Sequence, residues 1–196
     1  MKKEKVYEIR WHGRGGQGTV TAANVVSQTA FNEGYLGVQS IPLIGAERRG
    51  SALAVFSRLS KKPINLISQI YNPDIIVCID PSLFKKNKEE VTAGIKDKGT
   101  LIVNSTKDPE DIDVDSKNIK VCSVDASGIS VDLELYFGGS VVVNSPMLGA
   151  FSKGSGLIKL DSLINVIKSK WKGKWGEKNC EAIERAYKEL KIKEAL

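Results

Sequence analysis

Apolar and polar side chains alternate at the start of the chain. Val6, Glu8 and Arg10 oppose Tyr7, Ile9 and Trp11, and a period of two predicts a strand over residues 6–11. Small and apolar residues then recur at helical spacing over residues 19–32, and Gly34 follows as a stop, which predicts a buried helix. Residues 36–41 and 52–56 read as two further strands, joined by a loop over 42–50 that holds Glu47, Arg48 and Arg49. The run 75–79, Ile-Ile-Val-Cys-Ile, is continuously apolar and largely β-branched, as in a strand buried on both faces of a parallel sheet. Asp80-Pro81-Ser82 starts a helix, because proline is tolerated in the first turn, and Asp97-Lys98-Gly99 stops it before a strand over 100–104.

The second half continues the alternation. Residues 105–118 carry five acidic residues and few apolar ones, so they form a surface excursion before a strand over 119–124. A helical segment over 127–135 precedes Gly138-Gly139, the apolar Val141-Val142-Val143, and Asn144-Ser145-Pro146 leading into residues 147–151. Two closing helices are predicted over 161–170, with Leu163, Ile164 and Ile167 on one face, and over 177–190, with Cys180, Ile183, Ala186, Tyr187 and Leu190 on one face. Strands alternating with helices in this order predict an α/β chain, a three-layer α/β/α arrangement around a mainly parallel, Rossmann-like open sheet. The 196 residues, 41% of them hydrophobic, are enough for one domain over residues 1–196, with C-terminal helices at about 160–191.

Composition narrows the chemistry. No window approaches the roughly 18 apolar residues of a membrane helix, and the basic start leads into a strand pattern, so a cytoplasmic protein without a membrane partner is expected. Cys78, Cys122 and Cys180 are far apart in sequence, which suits neither a disulfide framework nor the closely spaced thiolates of a metal cluster. His12 is the lone histidine, so no multi-histidine metal site is available and no metal ligand is assigned. The net charge of +6 arises largely in lysine-rich segments interspersed with glutamates, read as solvated faces with no nucleic-acid partner.

Gly13-Arg14-Gly15-Gly16-Gln17-Gly18 has G-x-G-x-x-G spacing between a strand and a helix, a context in which backbone N–H groups hold a phosphate or carboxylate. A dinucleotide site also wants an acid at the end of the second strand, where this chain reads Gly37-Val38-Gln39-Ser40. Arg14 and Gln17 are bulky where such a turn keeps small residues, which suggests side chains reaching outward from it. The plainer reading is a tight turn that glycine permits. Gly45-Ala46-Glu47-Arg48-Arg49-Gly50 offers two guanidinium groups that can grip an anion, with Glu47 orienting them, or else an exposed surface ion pair. His12 is a possible acid or base beside the turn, or a hydrogen-bonded structural residue. Trp171-Lys172-Gly173-Lys174-Trp175 interleaves aromatics with lysines as base-stacking segments do, yet packing against the sheet or a partner is the simpler reading.

Arg10-Trp11-His12-Gly13-Arg14-Gly15-Gly16-Gln17-Gly18, the 45–50 loop and Asn72-Pro73-Asp74 together resemble the gamma subunits of 2-oxoacid:ferredoxin oxidoreductases. Asp80-Pro81-Ser82-Leu83 and Asn144-Ser145-Pro146-Met147-Leu148-Gly149-Ala150 are similar to the same family, so the resemblance spans about residues 6–155. The wording of the 45–50 loop looks more like the pyruvate and branched-chain members, which implies pyruvate synthase chemistry, with 2-oxoisovalerate or 2-oxoglutarate as the alternative substrate. The resemblance implies a heterotetramer. Companion alpha and beta subunits would hold thiamine diphosphate and magnesium, a delta subunit would carry iron–sulfur clusters to ferredoxin, and this chain would cover the active site without catalytic residues of its own. It also implies a place for coenzyme A, whose phosphates suit Arg14, the Gly15, Gly16, Gln17 and Gly18 backbone, Glu47, Arg48 and Arg49. From another class, a stand-alone nucleotide- or acyl-CoA-binding module is the competing reading.

Overall fold

The computed structural model describes residues 5–43, 50–114 and 118–196. The first strand, β1, runs over Tyr7–Arg14, past the end expected from the alternation. The reason is a long partner. β3 (Ala52–Ser60) pairs antiparallel along all of it, from Tyr7 opposite Leu59 to Arg14 opposite Ala52. β3 is in turn antiparallel to β2 (Gly37–Pro42), because the nine residues between them are too few for the dozen or more that a parallel crossover needs.

The rest of the sheet is parallel where the buried runs predict it. β4 (Ile75–Cys78), all of it buried, lies between β1 and β5 (Thr100–Asn104), and β6 (Lys120–Val124) follows, each parallel to its neighbour. A short β9 (Lys191–Lys193) closes the order β2-β3-β1-β4-β5-β6-β9 by pairing antiparallel with β6. The sheet is therefore mixed but mostly parallel, since only β3 and β9 oppose the common direction.

Helix boundaries depart from the periodicity where side chains compete with the backbone. α1 (Thr19–Asn32) has the predicted limits. The helix expected after Asp80 is two, α2 (Pro81–Lys86) and α3 (Lys88–Thr92). Between them Asn87 is non-helical and donates its side-chain amide to Glu90 Oε2 at 3.0 Å, a local bond that breaks the helical ladder. The acidic excursion includes a 3₁₀ turn at Pro109–Asp111. Asp125 caps α4 (Ala126–Asp132) by accepting from Gly128 N–H, which starts that helix early, and it ends before Glu134, whose φ is 50°. A hairpin of β7 (Tyr136–Phe137) and β8 (Ser140–Val141) turns on Gly138 and Gly139, both with positive φ. α5 (Asn144–Ser155) begins at Asn144 itself, and α6 (Leu160–Lys170) and α7 (Gly173–Glu189) complete the chain.

Helices cover both faces unequally. α1, α5, α6 and α7 bury one face, where the Trp11 and Phe151 rings lie 5.2 Å apart. α2 and α3 contribute Leu83 and Val91 to a smaller core with Ile76, Leu101 and Val121 on the other. The helix-rich face brings the N-termini of α1, α5 and α7 to the carboxyl end of β1, the edge at which open α/β sheets bind ligands.

Candidate functional site

Beyond β1 the chain turns through Gly15, Gly16, Gln17 and Gly18 into α1, with Gly16 at φ 92° and Gly18 at φ 75°, a backbone region that side chains other than glycine rarely adopt. Two backbone bonds join this turn to the start of β3, from Gly15 N–H to Ser51 O at 2.9 Å and from Gly50 N–H to Gly15 O at 3.0 Å. A Cβ on Gly18 would fall 2.7 Å from the Asn144 side chain, so the turn and the first residue of α5 are in close contact.

Arg14 and Gln17 do not reach outward. Gln17 accepts Arg14 N–H on Oε1 at 2.7 Å and donates Nε2 to Asp80 Oδ2 at 2.5 Å. The Arg14 guanidinium donates to Gly50 O and to Ser82 Oγ, each at 3.0 Å, and its Nε lies 3.5 Å from Asp80 Oδ1. Asp80, at the end of β4, is thus the post to which the turn is tied, and the Arg14 charge is met from inside the protein. Burial pushes the Asp80 carboxyl up. Hydrogen bonds from Ser82, Gln17 and Leu83 N–H, with the Arg14 charge, outweigh it and hold the carboxyl below its ordinary range.

His12 does not line the cleft. Its Nε2 accepts from Arg10 Nε at 3.0 Å, and burial, aided by the Arg10 charge, lowers its pKa to about 3. The ring is therefore neutral near pH 7, with its lone pair committed to Arg10, which leaves no free base. Arg10 also donates to the Val91, Ala93 and Ile70 carbonyls, so the pair holds α3 and the 70–72 segment to the sheet.

The glycine turn forms one wall of a cleft of about 710 Å³, a size within the roughly 300–1,000 Å³ of small-molecule sites. Phe137, Asn144, Trp171 and Trp175 also line it. α1, α5 and α7 all begin at this cleft, and none has a side-chain cap or an acidic residue in its first turn. Among the described residues no carboxylate lines it. Uncapped N–H groups and the positive ends of three helix dipoles therefore converge on a space that no carboxylate of the described residues lines. The Asn144 side chain is 6% exposed and has no hydrogen-bond partner among the described residues, and the buried Thr19 hydroxyl also lacks one. Asn179 by contrast is committed, accepting from Ser145 Oγ and donating to Trp175 O.

The turn residues 14–18 thus lie together at the cleft as the motif suggests. Glu47, Arg48 and Arg49 lie outside the described residues, though Leu43 and Ser51 on either side of that segment line the cleft. Sequence reasoning missed Asp80 as a tether, Asn144 as an open amide, and Phe137, Trp171 and Trp175 as a wall. The tryptophan–lysine alternation was the available signal for the last two. The thiols of Cys78 and Cys122 are buried and pushed up to about 12, which makes both inert core residues. Among the described residues no group of three or more His, Cys, Asp or Glu side chains can hold a metal ion, and no helix is long and apolar enough to cross a membrane.

Fold and cleft together define an α/β domain in which a glycine turn and the starts of three helices border a cleft at one edge of a mostly parallel sheet. The chain belongs to the pyruvate ferredoxin/flavodoxin oxidoreductase family, whose pattern it matches over residues 8–189. It is 44% identical over 189 residues to the pyruvate/ketoisovalerate oxidoreductases common subunit gamma of Thermococcus kodakarensis, covering 95% of this chain and 98% of that one. It is 42% identical over 183 residues to the pyruvate synthase subunit PorC of Methanothermobacter thermautotrophicus, covering 93% and 95%. The crystal structure of pyruvate oxidoreductase subunit PORC from Thermotoga maritima superposes with a TM-score of 0.82 at 31% identity, covering 98% of this chain and 100% of that one.

Proposed function

We propose that this chain is the gamma subunit of a pyruvate synthase-type complex and that its cleft receives coenzyme A. The complex converts pyruvate, coenzyme A and two oxidised ferredoxins into acetyl-CoA, carbon dioxide, two reduced ferredoxins and a proton. Near full-length likeness to subunits named for pyruvate supports the assignment. The observation that carries the coenzyme A reading is the convergence of three uncapped helix N-termini and the unpartnered Asn144 amide on a cleft that no carboxylate among the described residues lines. Such a site suits the diphosphate of coenzyme A.

The remaining chemistry belongs to companion alpha, beta and delta subunits. Thiamine diphosphate with magnesium would activate the 2-oxoacid there, and iron–sulfur clusters would carry its electrons to ferredoxin. Cys78, Cys122 and Cys180 are buried in separate elements and do not fit a cluster in this chain. The Thermococcus kodakarensis relative is named as common to pyruvate and ketoisovalerate oxidoreductases, which supports a 2-oxoacid choice made by the companions.

In the assembled complex, Asn144→Leu should raise the KM for coenzyme A by about ten-fold or more while leaving the KM for pyruvate unchanged, because one of the polar groups facing the cleft is lost. Steady-state ferredoxin reduction with each substrate varied in turn measures both. An unaltered KM for coenzyme A would remove this cleft from the reaction.

A further inference from the structure

Ser123, on β6, is 1% exposed, and its Oγ has no hydrogen-bond partner among the described residues. A buried hydroxyl left unpaired is costly, so its retention asks for a partner from outside the chain. Ser123 lines a pocket of about 400 Å³ at the carboxyl ends of β5 and β6, a size within that of small-molecule sites. This pocket shares no lining residue with the cleft. Strand register fixes its layout. Asn104 pairs with Val124, so Ser105-Thr106-Lys107 leave one strand beside Asp125 on the next, a strand spacing of about 4.8 Å away. Among the described residues the Lys107 ammonium has no ion-pair partner and the Thr106 hydroxyl has no hydrogen-bond partner. Asp125 accepts Gly128 N–H on Oδ1 at 2.8 Å, while its Oδ2 accepts nothing from the described residues. Glu189, paired with Arg185, and Lys191, paired with Asp108, complete the charged lining. Two cations and two carboxylates therefore line the pocket, and the two at the strand ends do not satisfy each other.

We propose that this pocket binds a small zwitterion of the α-amino acid class. The ligand carboxylate meets the Lys107 ammonium and accepts from the Thr106 and Ser123 hydroxyls, and the ligand ammonium donates to Asp125. A balanced lining favours a ligand that carries both charges, since an anion alone would face Asp125 and Glu189 and a cation alone would face Lys107 and Lys191. Val124 supplies the apolar contact, which suits a short side chain. Glu189 ends α7 and Lys191 begins β9, so an occupant also holds β9 to β6 and stabilises the folded chain. Neither the cleft nor coenzyme A enters into this site.

Titration of the isotope-labelled full chain, followed through its backbone amides by NMR, tests the assignment. The probes are L-alanine, acetate, methylammonium and inorganic phosphate. L-Alanine should shift the amides of residues 105–107, 123–125 and 189–191 in a saturable way and raise the Tm. Acetate and methylammonium each keep one of the two charges and should bind at least about ten-fold more weakly. Lys107→Gln, at an exposed side chain, should weaken L-alanine by about ten-fold with the fold unchanged. Ser123→Ala should weaken it by about five-fold without lowering the Tm of the free chain, because the hydroxyl it removes has no partner there. If L-alanine shifts no amides, or only those around the cleft, the site is refuted. Phosphate binding in place of L-alanine would make the pocket an anion site and overturn the amino acid assignment. Equal affinity in both variants and the unaltered chain would overturn it as well.

Discussion

Asp80 lies more than sixty residues along the chain from the glycine turn, yet it accepts from Gln17 and faces Arg14, which makes the turn's conformation a property of two segments. The glycines at 16 and 18 permit the bend, and the carboxylate selects one bend among those permitted. His12 shows the same dependence with a measurable sign. In the unfolded chain it takes up a proton near its ordinary value of 6.5, whereas in the folded chain burial and Arg10 delay uptake until about 3. Unfolding therefore binds a proton between those limits. The stabilisation from His12 is complete above about pH 6.5 and is lost as the pH falls toward 3, at up to about 1.4 kcal/mol per pH unit. Asp80 has the same sign in a lower window, because its pKa is depressed from 3.8. His12→Gln keeps an acceptor for Arg10 but cannot titrate, so its stability should change less than the wild type's between pH 6.5 and 4. Urea midpoints across that range decide the matter, and parallel profiles would contradict the buried neutral histidine. The histidine and its place beside the motif were legible in sequence. Its commitment to Arg10 was not, because alternation along a strand does not reveal which side chains bond to each other.

Between elements, the contact of α5 with α7 governs the shape of the cleft. A Cβ on Gly149 would sit 2.0 Å from Ile183 O, so the two helices approach as closely as their backbones allow. Gly149→Ala must push α7 outward, and α7 carries Trp175 while Trp171 directly precedes it. The expected cost is about 1–3 kcal/mol in a denaturation experiment, accompanied by altered tryptophan emission as the cleft wall shifts. An unchanged emission spectrum with unchanged stability would show that α5 and α7 are not in this contact. Elements with strong local signals were predictable: α1 ends just before its glycine, β4 is an unbroken apolar run, and β5 centres on Leu101-Ile102-Val103. The breaks were not. Asn87 divides α2 from α3 through one side-chain bond, and Lys191-Ile192-Lys193 becomes β9 only because β6 offers a free edge.

As a whole molecule the chain is one subunit of a multi-subunit oxidoreductase, with a cleft at one edge of its sheet. The purified chain alone should reduce no ferredoxin with pyruvate and coenzyme A, and the activity should return when the companion subunits are added. Full turnover by the lone chain would refute its assignment as a subunit. The alternation of strand and helix patterns, the strand–turn–helix start and the family resemblance were all present in the sequence, because each depends on residues close together along the chain or on short motifs. The antiparallel insertion of β3, the tether from Asp80 to the turn, and the meeting of three helix N-termini with an aromatic wall belong to the tertiary structure. Those depend on which distant segments pack together, and burial of the apolar faces decides that for the chain as a unit. The glycine motif thus marked one wall of the cleft, and the fold supplied the amide and the rings that complete it.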